Sequence, residues 1–322
     1  MSTIPALDPI ADDLRRVEAL LRTRLESEVA LVGQITNHVV AGGGKRLRPA
    51  LVLLAADAGC YTGAFKYELA AAIELIHTAT LLHDDVVDES YLRRGQSTAN
   101  SAFGNAAAVL AGDFLYSRAF QIMVSVGDLK VMDILADATN TIAEGELLQL
   151  MNCRNPELSE QSCVEVIRRK TAKLFEASTW VGAVLAGMPP RIQGGLASYG
   201  MHLGTAFQLI DDVLDYSGDE ESTGKSLGDD LAEGKPTLPL IYTIRTGTPA
   251  QAKLVRNAIL EGGRNRFAEV LRAVNDVGAL DYVRQVARGE AAEAERAIEH
   301  LDASKAKGIL LELASFSVTR RH

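Results

Sequence analysis

The chain has 322 residues, of which 47% are hydrophobic, and a formal net charge of −9 at pH 7. This length and composition allow a sizeable core, and the negative charge argues against nucleic acid as the general partner, because phosphate backbones need a basic surface. The N-terminus is acidic where a signal peptide would be basic, and no apolar run reaches the roughly 18 residues of a membrane span. Three cysteines without metal-ligand spacing complete the expectation of a globular cytoplasmic protein.

Helical periodicity dominates the chain, since apolar residues recur at intervals of three and four through almost every long segment. This pattern predicts an all-α protein. The predicted helices cover residues 9–41, 50–59, 66–89, 106–126, 129–151, 159–187, 191–216 and 289–317. Glycines at 42–44 end the first of them, and Pro49 suits the first turn of the second. No serine-, glycine- or proline-rich linker is found, so we expect one domain over residues 1–322.

Two groups of aspartates interrupt apolar helices. The first aspartate cluster is Asp84, Asp85 and Asp88, and the second aspartate cluster is Asp211, Asp212 and Asp215. Positions i and i+4 share a helix face, so each cluster would present two carboxylates one turn apart. A single acidic cluster is usually a solvated surface. Its repetition in the same apolar setting, where an unpaired carboxylate is costly to bury, predicts a divalent metal instead.

Basic residues accompany these helices in loops. Lys45 and Arg48 lie between the glycines and a helix start, and Arg93 and Arg94 follow the first aspartate cluster. Mg²⁺ binds through a few carboxylates together with phosphate oxygens, and arginine and lysine bind phosphate directly. A diphosphate bound through Mg²⁺ fits this combination. For Arg46 we favour ordinary surface charge.

His77 lies two turns before Asp84 on the same predicted helix face, where it could donate a hydrogen bond to a bound anion. A lone histidine on an apolar face is more often a core residue with satisfied hydrogen bonds. The residues alone leave both interpretations open.

The order of the motifs resembles that of the trans-polyprenyl diphosphate synthases, in particular their long-chain bacterial members. The resemblance spans nearly the whole chain and is carried by Gly43-Gly44-Lys45-Arg46-Leu47-Arg48-Pro49, both aspartate clusters, Arg93-Arg94-Gly95, Gly112-Asp113, Lys170-Thr171, Phe207-Gln208, Gly224-Lys225 and Gly234-Lys235. It implies an all-α isoprenoid-synthase helical bundle around a deep central cavity. The activity it implies is Mg²⁺-dependent head-to-tail condensation of isopentenyl diphosphate onto an allylic diphosphate, farnesyl or geranyl.

The resemblance also implies roles by position. All six clustered aspartates would bind Mg²⁺, with three ions expected when substrate is bound. Isopentenyl diphosphate would be bound by Lys45, Arg48, His77 and Arg94. The allylic diphosphate would be held by Arg93, Lys170, Lys225 and Lys235, with Thr171 and Gln208 beside the reacting centre. The glycine-rich loop over residues 217–237 would act as a lid. Family likeness further implies a homodimer.

The chemistry is consistent with these roles. Breaking the allylic C–O bond leaves a carbocation and a pyrophosphate, and both need stabilisation in a site from which water is excluded. Metal ions and lysines stabilise the leaving group, whereas a cation needs neighbouring oxygens, which Thr171 and Gln208 can supply. The motifs contain no obvious general base, and in the family the departing pyrophosphate removes the proton.

Product length can be argued from helix geometry. The growing chain should extend along the helix away from Asp84, past Thr80 and Ala79 and on toward Ile76. Thr80 and Ala79 are small, whereas short-chain relatives carry bulky aromatics in this layer. Because nothing large blocks the next turn of the helix, we predict a long product, and the family resemblance implies about 40 to 50 carbons. The resemblance suggests a quinone side chain as its use.

Two alternatives were weighed against this interpretation. A class I terpene cyclase of the same fold would lack the block at residues 43–49 and would carry an Asn/Ser/Glu motif as its second metal site. A non-catalytic subunit of a heteromeric prenyl synthase would have lost aspartates from one cluster. The C-terminal Arg320-Arg321 is expected to be a frayed tail with at most peripheral contact with anionic lipid.

Overall fold

A computed structural model describes residues 4–41, 44–93, 95–217 and 227–320, and helices make up most of it. The all-α prediction is confirmed. The first helices are α1 (Ala11–Arg24), α2 (Ala30–Ala41), α3 (Leu47–Ala58), α4 (Phe65–Val87), α5 (Ala99–Phe103), α6 (Asn105–Val126), α7 (Leu129–Asn152) and α8 (Glu160–Ile167). They are followed by α9 (Lys173–Leu185), α10 (Pro190–Ser217), α11 (Asp229–Ala232), α12 (Leu238–Thr246), α13 (Pro249–Glu261), α14 (Phe267–Asp276), α15 (Ala279–Ala297) and α16 (Lys305–Thr319).

Other regular structure is limited within the described ranges. Short 3₁₀ turns cover Pro5–Ile10 and Arg264–Arg266, and a π-helical segment covers Arg168–Ala172. An antiparallel hairpin pairs Leu92–Arg93 with Gln96–Ser97. None of the described helices is both long and apolar enough to cross a lipid bilayer.

The chain divides into two compact units, each built from separate stretches of sequence. The first unit comprises Met1–Thr139, Leu174–Gly200 and Ala297–Leu313, and the second comprises Asn140–Lys173, Met201–Arg296 and Ala314–His322. The expectation of a single domain over residues 1–322 stays a prediction.

The core of the first unit is organised around α3. Every residue from 50 to 56 in this helix is fully buried, as expected for a helix that is apolar on all sides. α4 packs against both α3 and α6. α9 approaches α3 at Gly182, where a Cβ atom would lie only 2.6 Å from the backbone oxygen of Val52. Close helix packing thus places the motif-bearing helix α4 against the fully buried segment of α3.

The core of the second unit gathers the C-terminal half of α10 with α8 and α11 to α15. Fully buried members include Leu209, Leu231, Leu238, Leu240, Val255, Ile259, Val270, Val274 and Val283. The start of α13 is stabilised by a capping box in which Thr248 and Gln251 bond to each other's backbone, with Pro249 at the first helical position. The helix α10, which holds the second aspartate cluster, is therefore anchored in a well-packed apolar core.

Five predicted helices agree with α3, α4, α6, α7 and α10 to within three residues at each end. The single helix predicted over residues 9–41 is wrong, because the helix ends after Arg24 and a new one starts at Ala30. Between them the Ser27 hydroxyl accepts a hydrogen bond from the backbone of Val29 at 3.2 Å. Such local side-chain bonds compete with helix formation.

Two further predicted helices are interrupted. The one over residues 159–187 contains the π-helical segment Arg168–Ala172, and the one over residues 289–317 is divided between α15 and α16. α16 restarts where the Ser304 hydroxyl accepts a hydrogen bond from the backbone N–H of Lys307 at 3.1 Å, as an N-cap does. The loop predicted over residues 217–237 contains the short helix α11, and its residues 218–226 lie outside the described ranges.

Candidate active site

Each aspartate cluster lies at the C-terminal end of a long helix. The first cluster occupies the last turn of α4 and its C-cap, Asp88, whose N–H donates to the backbone oxygen of Asp84 at 2.8 Å. The second occupies the last two turns of α10. Neither of these described helices has a basic residue in its last turn. The helix dipole places partial negative charge at this end and disfavours carboxylates there, so both clusters are electrostatically suited to a bound cation.

Within the first cluster, Asp85 differs from its two neighbours. Its carboxylate is buried and accepts hydrogen bonds from Arg93 Nε at 2.9 Å and Nη2 at 2.7 Å. Burial raises the pKa of Asp85, and Asp84 and Asp88 raise it further, although Arg93 opposes them. Asp84 and Asp88 are half-exposed. The two positions one turn apart therefore face the surface, whereas Asp85 orients Arg93.

The loop after α4 is held by side-chain hydrogen bonds to backbone oxygens. Asn100 donates to the backbone oxygens of Asp85 and Ser90, both at 3.1 Å, and the Thr98 hydroxyl donates to that of Ser90 at 2.7 Å. These bonds fix the start of the hairpin that carries Arg93. Arg94, predicted to bind substrate, lies outside the described residues.

The structure brings together two of the residues predicted to bind isopentenyl diphosphate. Arg48 Nη1 donates to His77 Nε2 at 3.0 Å, and this nitrogen must accept because a guanidinium can only donate. The Arg48 guanidinium also lies 4.5 Å from the centre of the Phe175 ring. Lys45 is half-buried just before α3. His77 thus belongs to a polar group at the start of α3.

Arg46 does not carry ordinary surface charge, and that interpretation is wrong. Its side chain is only 12% exposed and forms an ion pair with Glu74, which is 7% exposed. The pairing was missed because a loop arginine and a helical glutamate 28 residues later have no periodic relation in the sequence.

The Gly112-Asp113 pair allows α6 to approach α4 beside the first cluster. A Cβ atom on Gly112 would lie 2.3 Å from His83 Nε2. That nitrogen is 3.4 Å from the Asp113 carboxylate and 3.2 Å from the backbone oxygen of Val109. A side chain at position 112 would therefore displace the His83 ring from this arrangement.

In the second unit, Lys170 and Thr171 lie in the π-helical segment. Lys170 Nζ donates to Glu146 of α7 at 2.5 Å, and Thr171 Oγ1 donates to Gln208 Oε1 of α10 at 3.2 Å. Gly145 makes room, since a Cβ atom there would lie 2.7 Å from the backbone nitrogen of Lys170. π-Helical turns are rare and are often found at functional sites. This turn presents adjacent polar side chains to two different helices.

Gln208 links the π-helical segment to the second cluster. Its Oε1 accepts from Thr171 and its Nε2 donates to Asp212 Oδ1 at 2.9 Å. Asp212 is 4% exposed. Burial raises the pKa of Asp212 well above its usual range; the charge of Asp230 adds to this effect, and Gln208 opposes it. The adjacent carboxylates of the cluster also raise it. A cation would relieve this accumulation of negative charge.

Arg320 is a second basic residue whose environment differs from the prediction. The frayed tail expected for it is wrong, because its Nη2 donates to Asp211 Oδ1 and to the backbone oxygen of Phe207, both at 2.6 Å. Its guanidinium also lies 3.8 Å from the centre of the Phe207 ring. Arg321 lies outside the described residues. One member of the second cluster is therefore paired with an arginine from the C-terminal end of the described chain.

Of the two lysines predicted to lie in the lid, the structure describes one. Lys235 is half-buried and forms an ion pair with Glu233. Its backbone N–H donates to the backbone oxygen of Asp230 at 2.8 Å, which ties the residue to α11. Lys225 lies outside the described ranges.

The donor set fits a hard divalent cation. Mg²⁺ keeps several waters and is usually bound through one or two carboxylates together with substrate phosphates. Within the described part of the chain, no three His, Cys, Asp or Glu side chains are grouped so that they could hold an ion by themselves. The fit therefore rests on the carboxylates at the helix ends and on the raised pKa values of Asp85 and Asp212.

Comparison with known proteins decides the family. A family model described as polyprenyl synthetase matches residues 29–277. The chain belongs to the polyprenyl synthetase family. It is 51% identical over 311 residues to the octaprenyl diphosphate synthase of Escherichia coli, covering 96% of each chain. It is also 43% identical to an all-trans-nonaprenyl-diphosphate synthase (geranyl-diphosphate specific) of Rhodobacter capsulatus, covering 98% of this chain and 97% of the relative.

Solved structures agree with this membership. The polyprenyl synthase of Caulobacter crescentus, crystallised with calcium and isoprenyl diphosphate, superposes with a TM-score of 0.95 at 43% identity and covers 98% of this chain and 97% of its own. The predicted resemblance and the fold class are confirmed. As a member of the polyprenyl synthetase family, the protein is a prenyltransferase.

The three residues predicted to control product length in this polyprenyl synthetase are not equivalent. Ile76 and Ala79 are fully buried. Thr80 is half-buried, and its hydroxyl donates to the backbone oxygen of His77 at 2.8 Å. A larger side chain would therefore be accommodated more easily at Thr80 than at Ala79, because Thr80 is only half-buried.

Sequence reasoning missed three charged residues near the predicted ones, namely Glu146, Asp230 and Arg320. Arg320 contacts Asp211 from 109 positions away, a separation at which sequence offers no pairing signal. Two weaker cues were present. Gly145 allows another helix to approach beside Glu146, and Gly228-Asp229-Asp230 follows the second cluster in a loop.

The raised pKa of Asp212 predicts a pH-dependent change in stability. The folded state holds this proton more tightly than the unfolded chain, so ionisation costs stability as pH rises through the folded-state pKa. In the presence of a chelator at about pH 8, we expect Asp212→Asn to raise Tm by at least about 2 °C. The gain should shrink as pH falls toward about 4, the usual aspartate pKa.

Scanning calorimetry across pH measures this effect. The control is Asp281→Asn, which changes an exposed aspartate on α15 and should move Tm by less than about 1 °C, because surface ion pairs contribute little. A lower Tm for Asp212→Asn, or a gain that does not depend on pH, would contradict the prediction.

Proposed function

We propose that the protein is a long-chain trans-polyprenyl diphosphate synthase, which condenses isopentenyl diphosphate head to tail onto an allylic diphosphate in the presence of Mg²⁺. The observation that carries the proposal is the pair of aspartate clusters at helix C-termini, each bonded to an arginine. The proposal is also supported by the printed names of relatives that cover nearly the whole chain. Farnesyl and geranyl diphosphate are the proposed primers.

The clustered aspartates are the proposed metal ligands. When bound, Mg²⁺ would neutralise the diphosphate and stabilise the leaving pyrophosphate. Asp84 and Asp88 are half-exposed, so they can reach a metal–diphosphate complex without rearrangement of α4. Asp85 contributes by holding Arg93 through two hydrogen bonds. Of the second cluster, Asp211, Asp212 and Asp215 are all proposed as ligands.

Basic side chains bind the allylic diphosphate directly in this proposal. Arg93 is oriented by Asp85, and Lys170 is oriented by Glu146 at 2.5 Å. A phosphate oxygen would compete with Glu146 for the ammonium group, since both are anionic acceptors. Lys225 and Lys235 are assigned to the same diphosphate by position.

Thr171 and Gln208 are assigned to the carbocation. Thr171 donates its hydroxyl proton to Gln208, which in turn donates to Asp212. This direction leaves the lone pairs of the threonine oxygen to face a developing positive charge. Fixed dipoles of this kind stabilise charge without reorganisation during the reaction.

Lys45, Arg48, His77 and Arg94 are proposed to bind isopentenyl diphosphate. Arg48 and His77 already form one hydrogen-bonded group. Arginine can donate two parallel bonds to phosphate oxygens, and lysine adds a compact charge. The product pyrophosphate would accept the proton lost from the new allylic chain, as the resemblance implies.

The activity is tested by incubating the protein with labelled isopentenyl diphosphate, farnesyl diphosphate and Mg²⁺. We expect successive elongation, loss of activity with a chelator, and a reduction of at least about 100-fold for Asp84→Asn or Asp211→Asn, because each removes part of the electrostatic stabilisation. Asp281→Asn is the matched control. A cyclised hydrocarbon would instead support a terpene cyclase, and absence of any product would support a non-catalytic subunit.

By likeness to the family, product length is predicted to be about 40 to 50 carbons, and the small side chains of Ala79 and Thr80 place no bulky group in the first layer beyond the aspartates. We expect Ala79→Phe and Thr80→Phe each to shorten the product. Because Ala79 is fully buried and Thr80 is not, Ala79→Phe should also lower Tm more. Product mass after reaction reports length and thermal melting reports stability, with Thr78→Val as a control on the same helix. An unchanged product distribution in both phenylalanine variants would refute the assignment.

We also propose a homodimer. Four exposed apolar side chains of α6 fall on one face of the helix, namely Val109, Leu110 (67% exposed), Phe120 and Val124 (60% exposed). Exposed apolar stripes of this kind mark interaction surfaces. Sedimentation should give twice the chain mass, and Leu110→Glu with Val124→Glu should give the single-chain mass. Leu260→Glu, at an exposed position on α13, should leave the dimer intact. A single-chain mass for the unmodified protein would exclude the dimer.

Cytoplasmic location, peripheral membrane contact and use of the product as a quinone side chain stay predictions. Fractionation of cells that express the chain would test the first two. Extraction of quinones from a strain that depends on this enzyme would test the third.

A further inference from the structure

We propose that Arg46 and Glu74 form a clamp that positions Lys45, Arg48 and His77 for isopentenyl diphosphate, without contacting the substrate themselves. The inference rests on the function proposed for those three residues. It assigns a role to an arginine that sequence reasoning treated as surface charge.

The first observation is burial of an ion pair. Arg46 Nη1 bonds to Glu74 Oε1, with the two side chains 12% and 7% exposed. Glu18 of α1 adds a second, longer contact at 3.6 Å from Arg46 Nε. Burial acts to lower the pKa of Arg46, but these carboxylates outweigh it and the net pKa is raised. The guanidinium therefore stays charged and attached to α4.

The second observation is the backbone conformation of Arg46. Its φ of 50° and ψ of 32° are left-handed, immediately before α3 begins. Residues with a Cβ rarely adopt this region. They hold it where the surroundings compensate, commonly at functional sites. The Glu74 ion pair is such a compensation, because it fixes the side chain of the residue that makes the turn.

The third observation is a pair of neighbouring links between the start of α3 and one face of α4. Arg46 bonds to Glu74, and Arg48 bonds to His77 at 3.0 Å. Glu74 and His77 are three residues apart on α4 and therefore share a face. The first link sets the register of residues 45–48 against the helix, and the second places Arg48 on His77. Loss of the first link should move the substrate-binding groups without removing any of them.

Stability alone is a poor explanation for this pair. A buried ion pair can often be replaced by well-packed apolar residues with little loss of stability, whereas removal of one partner is strongly destabilising. This difference separates a positioning role from a structural one. The informative variant therefore removes both charges at once.

The test compares three proteins. We expect Arg46→Met combined with Glu74→Leu to remain folded, with Tm within about 4 °C of the unmodified protein. Its KM for isopentenyl diphosphate should rise at least about tenfold, because a displaced binding group loses much of its effect. Its KM for the allylic diphosphate should change less than about twofold, and kcat at saturation should fall less than KM rises. Glu74→Leu alone should lower Tm markedly, because it leaves a buried guanidinium unpaired.

A matched control is provided by the other ion pair between the same two helices. Lys66 Nζ of α4 bonds to Asp57 Oδ1 of α3 at 2.5 Å, and it lies toward the opposite end of α3. Lys66→Met combined with Asp57→Leu should leave both KM values within about twofold of the unmodified protein, since no predicted substrate residue is attached to this pair.

Binding of isopentenyl diphosphate measured by calorimetry distinguishes the possible failures. Equal affinity and equal KM in the unmodified protein and the Arg46→Met, Glu74→Leu variant would overturn the clamp and leave the synthase proposal intact. A parallel loss of affinity for both diphosphates would also overturn it, because that pattern indicates general damage. An unmodified protein that neither binds nor elongates would refute the proposed function and, with it, the clamp.

Discussion

The structure depends on one electrostatic constraint, namely that carboxylates stand at the C-terminal ends of two buried helices. The helix dipole opposes ionisation there, and burial, together with the charge of neighbouring carboxylates, raises the pKa of Asp85 and of Asp212. In each cluster an arginine partly neutralises the negative charge, because Arg93 donates to Asp85 and Arg320 donates to Asp211. Carboxylates and arginines side by side are the arrangement expected where a metal ion and an anionic substrate bind together.

The residues proposed for chemistry are held by a layer of polar neighbours. Glu146 contacts Lys170, and Gln208 connects Thr171 to Asp212 through a directed chain of hydrogen bonds. The π-helical turn makes both arrangements possible, because an extra residue in the turn brings adjacent side chains to different partners. Positioning of this kind reduces the reorganisation needed as charge develops, which is a principal source of catalysis in enzymes that stabilise ions.

Helix α4 carries three groups of residues with different proposed roles along its length. Its middle is packed against α3 and α6, and there it carries Glu74 and His77, which bond to the basic residues at the start of α3. The small residues Ala79 and Thr80 come next, and the first aspartate cluster ends the helix. A rigid helix is a suitable support for such a series, because the distances between the positions proposed for substrate binding, length control and metal binding are then set by the helical rise.

The sequence by itself determined the helical class, five helices nearly to their ends, and the aspartate, lysine and arginine motifs, because periodicity and spacing along one helix are local properties. It did not reveal that Asp85 accepts two hydrogen bonds from Arg93, that Arg46 forms an ion pair with Glu74, or that Arg320 donates to Asp211. Each of these pairs joins residues brought together only by packing, with partners 28 and 109 positions apart in the last two cases. The π-helical turn also could not be predicted from the sequence, because one added residue hardly changes the spacing of apolar residues. It depends on tertiary structure, since Gly145 contacts the backbone of Lys170 closely only where α7 packs against this turn.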